Sequence, residues 1–318
     1  DRRQRQMCIR DSFHYISRHF SWKPDLVLES QIWEALSYCA IGWTTEADNV
    51  LAHVHIDQIK SKRIRSLANL AFANFYIKSD KNVEAIPYLA EAIKGSKGAQ
   101  KVRLNFLLGQ LYEDAGEKQL AYEAFKRAGS SSGSTYRTKF NARIKQSAVF
   151  QGTNIMPEVK ALKRMTHYDR NKEYLDQVYY AIGNLYLSRL DTVNAVANYK
   201  LAAEKSTRNG IDKAISQLTL GGIYFAQRKY DLAQPCYSEA IPLLSEAYPN
   251  FRELKKRSDV LDELAVYAGN VTLQDSLLRL SKMPLEEQKK VIKKIIDDLK
   301  KKEKEEAENA AREEYMAN

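Results

Sequence analysis

Two histidines one residue apart, His53 and His55, are the nearest thing in the chain to a metal-binding pair. On a helix, positions i and i+2 point to nearly opposite sides, whereas paired ligands stand at i and i+4. The spacing therefore predicts packed or solvated imidazoles. His14, His19 and His167 have no acidic or cysteine neighbour in sequence. Lys94-Gly-Ser-Lys-Gly98 holds the residue types of a phosphate-cradling loop without the G-x-x-x-x-G-K-[ST] order, and reads as an ordinary connection between helices. No Ser/His/Asp, Cys/His or paired-carboxylate arrangement stands out. The expectation is a protein that is not an enzyme, with no catalytic residue, no cofactor and no metal site.

Two basic stretches carry a different chemistry: Lys60, Lys62, Arg63 and Arg65, and Arg137, Lys139, Arg143 and Lys145 with Tyr136 and Phe140 among them. Basic residues interleaved with aromatics suit a nucleic-acid strand. Acidic residues run through the same region, however, and a net charge of +10 over 318 residues is a weak field for a polyanion. Solvated helix faces come first, an acidic protein partner second and nucleic acid third.

Three cysteines, Cys8, Cys39 and Cys236, form no disulfide or zinc spacing. No apolar run approaches the ~18 residues of a membrane span, and the N-terminus has no signal-peptide pattern. Asp1 to Ser12 resembles the translated read-through of a sequencing adapter, and on that reading the natural sequence begins near Phe13. The alternative is a native basic arm. Without that segment the net charge falls to +8.

What positions these residues is a repeat. Gly221, Tyr224, Ala233, Tyr237 and Ala240 are separated by steps of 3, 9, 4 and 3. Gly183, Tyr186, Ala195, Tyr199 and Ala202 reproduce them, as do Gly109, Tyr112, Ala121, Phe125 and Ala128. Ala73, Tyr76, Ala85, Leu89 and Ala92 form a weaker copy. This spacing resembles the tetratricopeptide (TPR) signature. The fold expected is all-α: a TPR-type α-solenoid of antiparallel helix pairs with a long charged C-terminal helix. Clear repeats span 66–99, 102–135, 176–209 and 214–247. A hidden unit fills the interval, with helices at Tyr136–Phe150 and Pro157–Arg170. Ser21–Ile59 forms a divergent pair with a turn at Gly42–Thr45.

Gly129 to Thr135 reads as a flexible Ser/Gly linker, and Arg208-Asn-Gly210 as a lengthened loop. Arg257–Leu280 reads as a last pair broken at Ala268-Gly-Asn270, so the solenoid covers 13–281. A charged amphipathic helix over 282–318 carries Val291, Ile292, Ile295, Ile296 and Leu299 as one apolar stripe. The repeated small and aromatic residues are expected to build helix crossings and to carry no chemistry.

In TPR arrays the concave face of first helices binds peptides or proteins. By position, that face offers Leu70, Asn74 and Lys78; Phe106, Gln110 and Asp114; Tyr180, Asn184 and Ser188; and Leu218 with Gly222. Asn74 and Asn184 either hold a peptide backbone through their amides or bond to neighbouring helices. Co-chaperone clamps place lysine where this chain has Leu70, Phe106, Tyr180 and Leu218, which argues against that mode.

Over Asp176–Glu306 the chain resembles the SprE/PorW family of TPR lipoproteins of Bacteroidota. The carrying residues run from Asn184 to Leu244, then through AGNVTLQDSLLRLSKMPLEE, Ala268 to Glu287, into the Lys/Glu-rich helix. The resemblance implies a non-enzymatic scaffold for gliding motility and type IX secretion. It would sit in the periplasm, associated with the outer membrane, with secretion-machinery partners and a lipid anchor upstream of what then reads as an internal fragment. A cytoplasmic peptide-binding adaptor and a helical RNA-binding protein are the alternatives.

Overall fold

The computed structural model describes residues 2–207 and 210–317, and the described residues are helices and their connections with no strand. Arg208 and Asn209, within the lengthened loop, lie outside the described residues. The chain forms two compact units, Asp1–Thr207 and Arg208–Asn318.

The first unit begins with α1 (Arg2–His19), packed on α2 (Pro24–Ile41), which in turn contacts α3 (Thr44–Leu51). Pro24 opens α2, where a missing N–H costs nothing. Gly42, at φ 85°, closes the helix in the left-handed conformation that glycine adopts without penalty. Four pairs follow: α4 (Lys62–Lys78) with α5 (Asn82–Gly95), α6 (Gly98–Asp114) with α7 (Lys118–Ser130), α8 (Tyr136–Ala148) with α9 (Met156–Met165), and α10 (Leu175–Leu187) with α11 (Thr192–Glu204). Ser61, Thr135 and Asp191 cap α4, α8 and α11 by accepting from backbone amides of the first turn.

Each clear repeat turns on the same device. The amides of Lys81, Glu117, Asp191 and Lys229 donate to the carbonyls of Tyr76, Tyr112, Tyr186 and Tyr224, at 2.8 to 3.1 Å. The residue before each donor is left-handed at Asp80, Gly116, Leu190 and Arg228. The repeat tyrosine thus marks where the first helix stops, its orphan carbonyl satisfied by the chain reversing over it.

The repeat glycines are sockets for aromatic rings. A Cβ on Gly109 would lie 2.7 Å from the Phe125 ring, one on Gly183 2.6 Å from Tyr199, and one on Gly221 2.9 Å from Tyr237. Phe125, Tyr199 and Tyr237 are almost completely buried. The weaker copy balances its volumes differently: Ala73 replaces the glycine and the smaller Leu89 replaces the ring, both buried in one core cluster.

Three sequence expectations are corrected. The Gly129–Thr135 run is no loose linker: α7 and α8 pack together across it, Ser134 Oγ donates to the Ala128 carbonyl, and a Cβ on Gly133 would meet the Gly98 backbone at 2.6 Å. The hidden unit's second helix ends at Met165, and a 3-10 turn covers Asp169–Tyr174. Ala268-Gly-Asn270 does not break a helix pair but lies inside one helix; a mid-helix glycine costs about 1 kcal/mol, too little to stop a helix without a capping turn.

The second unit holds α12 (Ile211–Ala226) packed on α13 (Tyr230–Ala240), then α14 (Phe251–Ser281) and α15 (Leu285–Ala317). α14 packs on α13 through Leu261, which is fully buried. Arg257 Nη1 donates to the Tyr237 hydroxyl at 3.2 Å. Farther along, Val266, Leu273 and Leu277 of α14 and the five stripe residues of α15 are all exposed.

Candidate protein-binding groove

Within the first unit, several of the inner-face residues border two adjoining pockets. The first, of about 350 Å³, lies between Trp33 and Leu36 of α2, Leu70, Asn74 and Ile77 of α4, and Leu107 of α6, with Ala73 and Leu89 beneath. The second, of about 270 Å³, is bounded by Arg103, Phe106, Leu107 and Gln110 of α6 and by Thr138 and Asn141 of α8. Leu107 belongs to both, so the two adjoin at that side chain. Leu70, Asn74, Phe106 and Gln110 are therefore brought together, while Lys78 and Asp114 stand exposed near the ends of α4 and α6.

The other inner-face residues behave differently. Tyr180 packs on Tyr199 with ring centroids 5.4 Å apart. Asn184 Oδ1 accepts from the buried Tyr199 hydroxyl at 2.7 Å, so its amide bonds to a neighbouring helix. Ser188 is exposed and donates to the Leu185 carbonyl. Leu218 and Gly222 are half-buried on α12, in the second unit. The pocket residues that sequence reasoning left out include Trp33, Leu36, Ile77 and Leu107 in the first pocket and Arg103, Thr138 and Asn141 in the second. Trp33 sits in the divergent pair and Asn141 in the hidden unit, where no repeat residue fixes the register.

Of the polar side chains facing the two pockets, Thr138 bonds to the Thr135 hydroxyl and the other four are not engaged elsewhere. Asn74, Arg103, Gln110 and Asn141 make no side-chain hydrogen bond or ion pair among the described residues, and all reach solvent. Five of the eight cations in the basic stretches are engaged, while Lys60, Lys62 and Lys139 stand exposed. Arg63 forms a forked pair with Glu29, whose carboxyl it holds below its ordinary range. Arg65 donates to the Ile59 carbonyl. Arg137 lies 3.8 Å over the Tyr174 ring, and Lys145 pairs with Glu113 at 2.9 Å. Arg143 pairs at 2.6 Å with the buried Glu158, which also accepts from the Tyr122 hydroxyl at 3.0 Å. That knot ties α7, α8 and α9 together. Most of these cations hold helices to one another and do not line a track for phosphates.

His14, with no acidic neighbour in sequence, meets Glu34 at 2.7 Å because α1 lies along α2. His53 Nδ1 stands 2.8 Å from the Asn49 carbonyl, on the surface. Among the described residues no three His, Cys, Asp or Glu side chains converge as metal ligands, and no helix is long and apolar enough to cross a membrane.

No family model matches the chain, and no curated protein matches it. Among solved structures, one titled as the crystal structure of a Rap protein complexed with competence and sporulation factor is similar at 15% identity and a TM-score of 0.42. The match covers 94% of this chain and 98% of that one.

Proposed function

We propose that this chain is a non-enzymatic scaffold that docks protein partners through the groove of its first helices. The observation that carries the reading is the contrast within the first unit. The amides and guanidinium bordering the two pockets are unbonded beside an apolar recess, whereas the basic clusters are mostly tied into the fold. Polar groups left free next to apolar surface are what a recognition site keeps for its ligand. We further propose, on the resemblance of Asp176–Glu306 to the SprE/PorW family, that the partners are type IX secretion and gliding components. The working place of the protein would be the periplasmic side of the outer membrane.

The test is site-specific photo-crosslinking in the native host, with a benzophenone residue at Gln110 in the groove or at the exposed Lys160 of α9. Capture of secretion components from Gln110 and not from Lys160 is the expected result. Equal capture from both sites overturns the groove, and capture confined to cytosolic proteins overturns the secretion assignment.

A further inference from the structure

We infer that the groove of the first unit takes an extended, acidic internal segment of a partner chain, with one bulky apolar side chain in the α2/α4/α6 pocket and a side-chain carboxylate on Arg103. The inference rests on the groove reading above and adds the chemistry of its occupant.

The apolar half follows from the first pocket. Trp33, Leu36, Leu70, Ile77 and Leu107 line a recess of about 350 Å³, with Asn74 as its polar side chain. Trp33 is 40% exposed, far from usual for a side chain of that size. Covering such a surface with a leucine or phenylalanine removes apolar area from water on both sides.

The acidic half follows from charge. Residues 1–207 hold 31 Lys and Arg against 21 Asp and Glu, whereas residues 208–318 hold 19 of each. The whole net positive charge of the chain thus sits in the unit that bears the groove. Arg103 is exposed, unpaired and at the rim of the second pocket. Its fork suits a carboxylate, and the amides of Gln110, two turns along the same helix, and of Asn141 on α8 border the same pocket. Leucine and phenylalanine stand where a chain-terminal carboxylate would need lysine, so an internal acidic side chain is the better fit. Neighbouring helices lie roughly 10 Å apart and an extended chain rises about 3.3 Å per residue, so the two subsites are about three residues apart along the ligand.

The experiment is selection of random decapeptides displayed on phage against the full chain, sequencing the retained pool. The expected pool pairs an aromatic or aliphatic residue with Asp or Glu about three positions away. Capping the terminal carboxylate as an amide should leave binding unchanged. Arg103→Glu should weaken a retained acidic peptide about fivefold or more, and a new selection on that variant should keep the apolar residue while exchanging the acidic one for Lys or Arg. A pool without acidic residues, an unchanged pool on the variant, or no retained peptide overturns the inference. The scaffold reading is judged separately, since the crosslink from Gln110 still forms if the partner is a folded surface.

Discussion

The hydroxyl of Tyr199 donates to Asn184 Oδ1 at 2.7 Å, joining a ring buried in α11 to a side chain on the inner face of α10. Burial pushes the Tyr199 phenol well above its ordinary range, so it stays a neutral donor wherever the fold persists. Tyr199→Phe leaves the ring in its socket and removes only this bond. We expect a loss of about 1 kcal/mol in urea unfolding; an unchanged midpoint would mean that the bond adds nothing to stability.

Adjacent glycines of α12 should respond in opposite directions. A Cβ on Gly221 would press 2.9 Å from the Tyr237 ring and 3.1 Å from Cys236, while one on Gly222 meets nothing within 4 Å. Gly221→Ala is expected to cost about 1–3 kcal/mol through overpacking. Gly222→Ala should gain up to about 1 kcal/mol from helix propensity. Thermal unfolding of the pair reads the difference directly.

Leu190 reverses the chain at φ 59° with 86% of its surface exposed. A leucine in that conformation bears about 1–2 kcal/mol of steric cost, which glycine avoids. Leu190→Gly should therefore raise the denaturation midpoint, even after the entropy lost by the more flexible residue. A lower midpoint would show that the turn is not left-handed in solution.

Arg143 and Glu158 test whether the second basic stretch is structural. Arg143→Met strands a buried carboxylate and should cost about 3 kcal/mol. Adding Glu158→Leu should recover much of that loss, which a role in phosphate binding would not explain. Circular dichroism melts of the single and double variants decide it.

The three thiols should separate by accessibility. Cys8 is exposed, while Cys39 and Cys236 are buried. Burial raises the Cys39 thiol to about 11, leaving little thiolate near neutral pH, and a thiolate is the reacting species. A thiol reagent should modify Cys8 at once and the other two only on unfolding. Because the Cys39 shift is upward, the neutral thiol favours the folded state below pH 9, and that advantage is lost as pH rises toward 11.

Much of this fold could be read in the residues. The steps from Gly183 to Ala202 and from Gly221 to Ala240 place four helices and two crossings. What they do not state is the partner of each glycine, since an aromatic sixteen positions on meets it only after the chain reverses. That reversal depends on backbone conformation at Leu190 and Arg228, residue types that do not advertise a left-handed turn. The groove was half legible. Leu70, Asn74, Phe106 and Gln110 follow from repeat position, but Trp33 and Asn141 lie in pairs whose register only three-dimensional packing defines. Gly269 misled for the opposite reason: glycine beside asparagine signals a stop, yet no reversing turn follows and α14 runs on.

The ring-in-socket fit of Gly109 with Phe125 and of Gly183 with Tyr199 has a mechanical side. A planar ring seated against bare backbone resists both sliding and rolling, so each of these two pairs should move as a stiff plank. At the seam between the α4–α5 and α6–α7 pairs the contacts of Leu89 with the Leu104 and Leu108 cluster are aliphatic, whereas the next seam is held by Lys145 with Glu113 and by the Tyr122–Glu158 bond. Aliphatic packing tolerates tilt better than a tied seam does, so compliance in the first unit should be greatest between the α4–α5 and α6–α7 pairs. The first pocket beside Leu107 spans that aliphatic seam, where small tilts would open or narrow the recess without disturbing any helix.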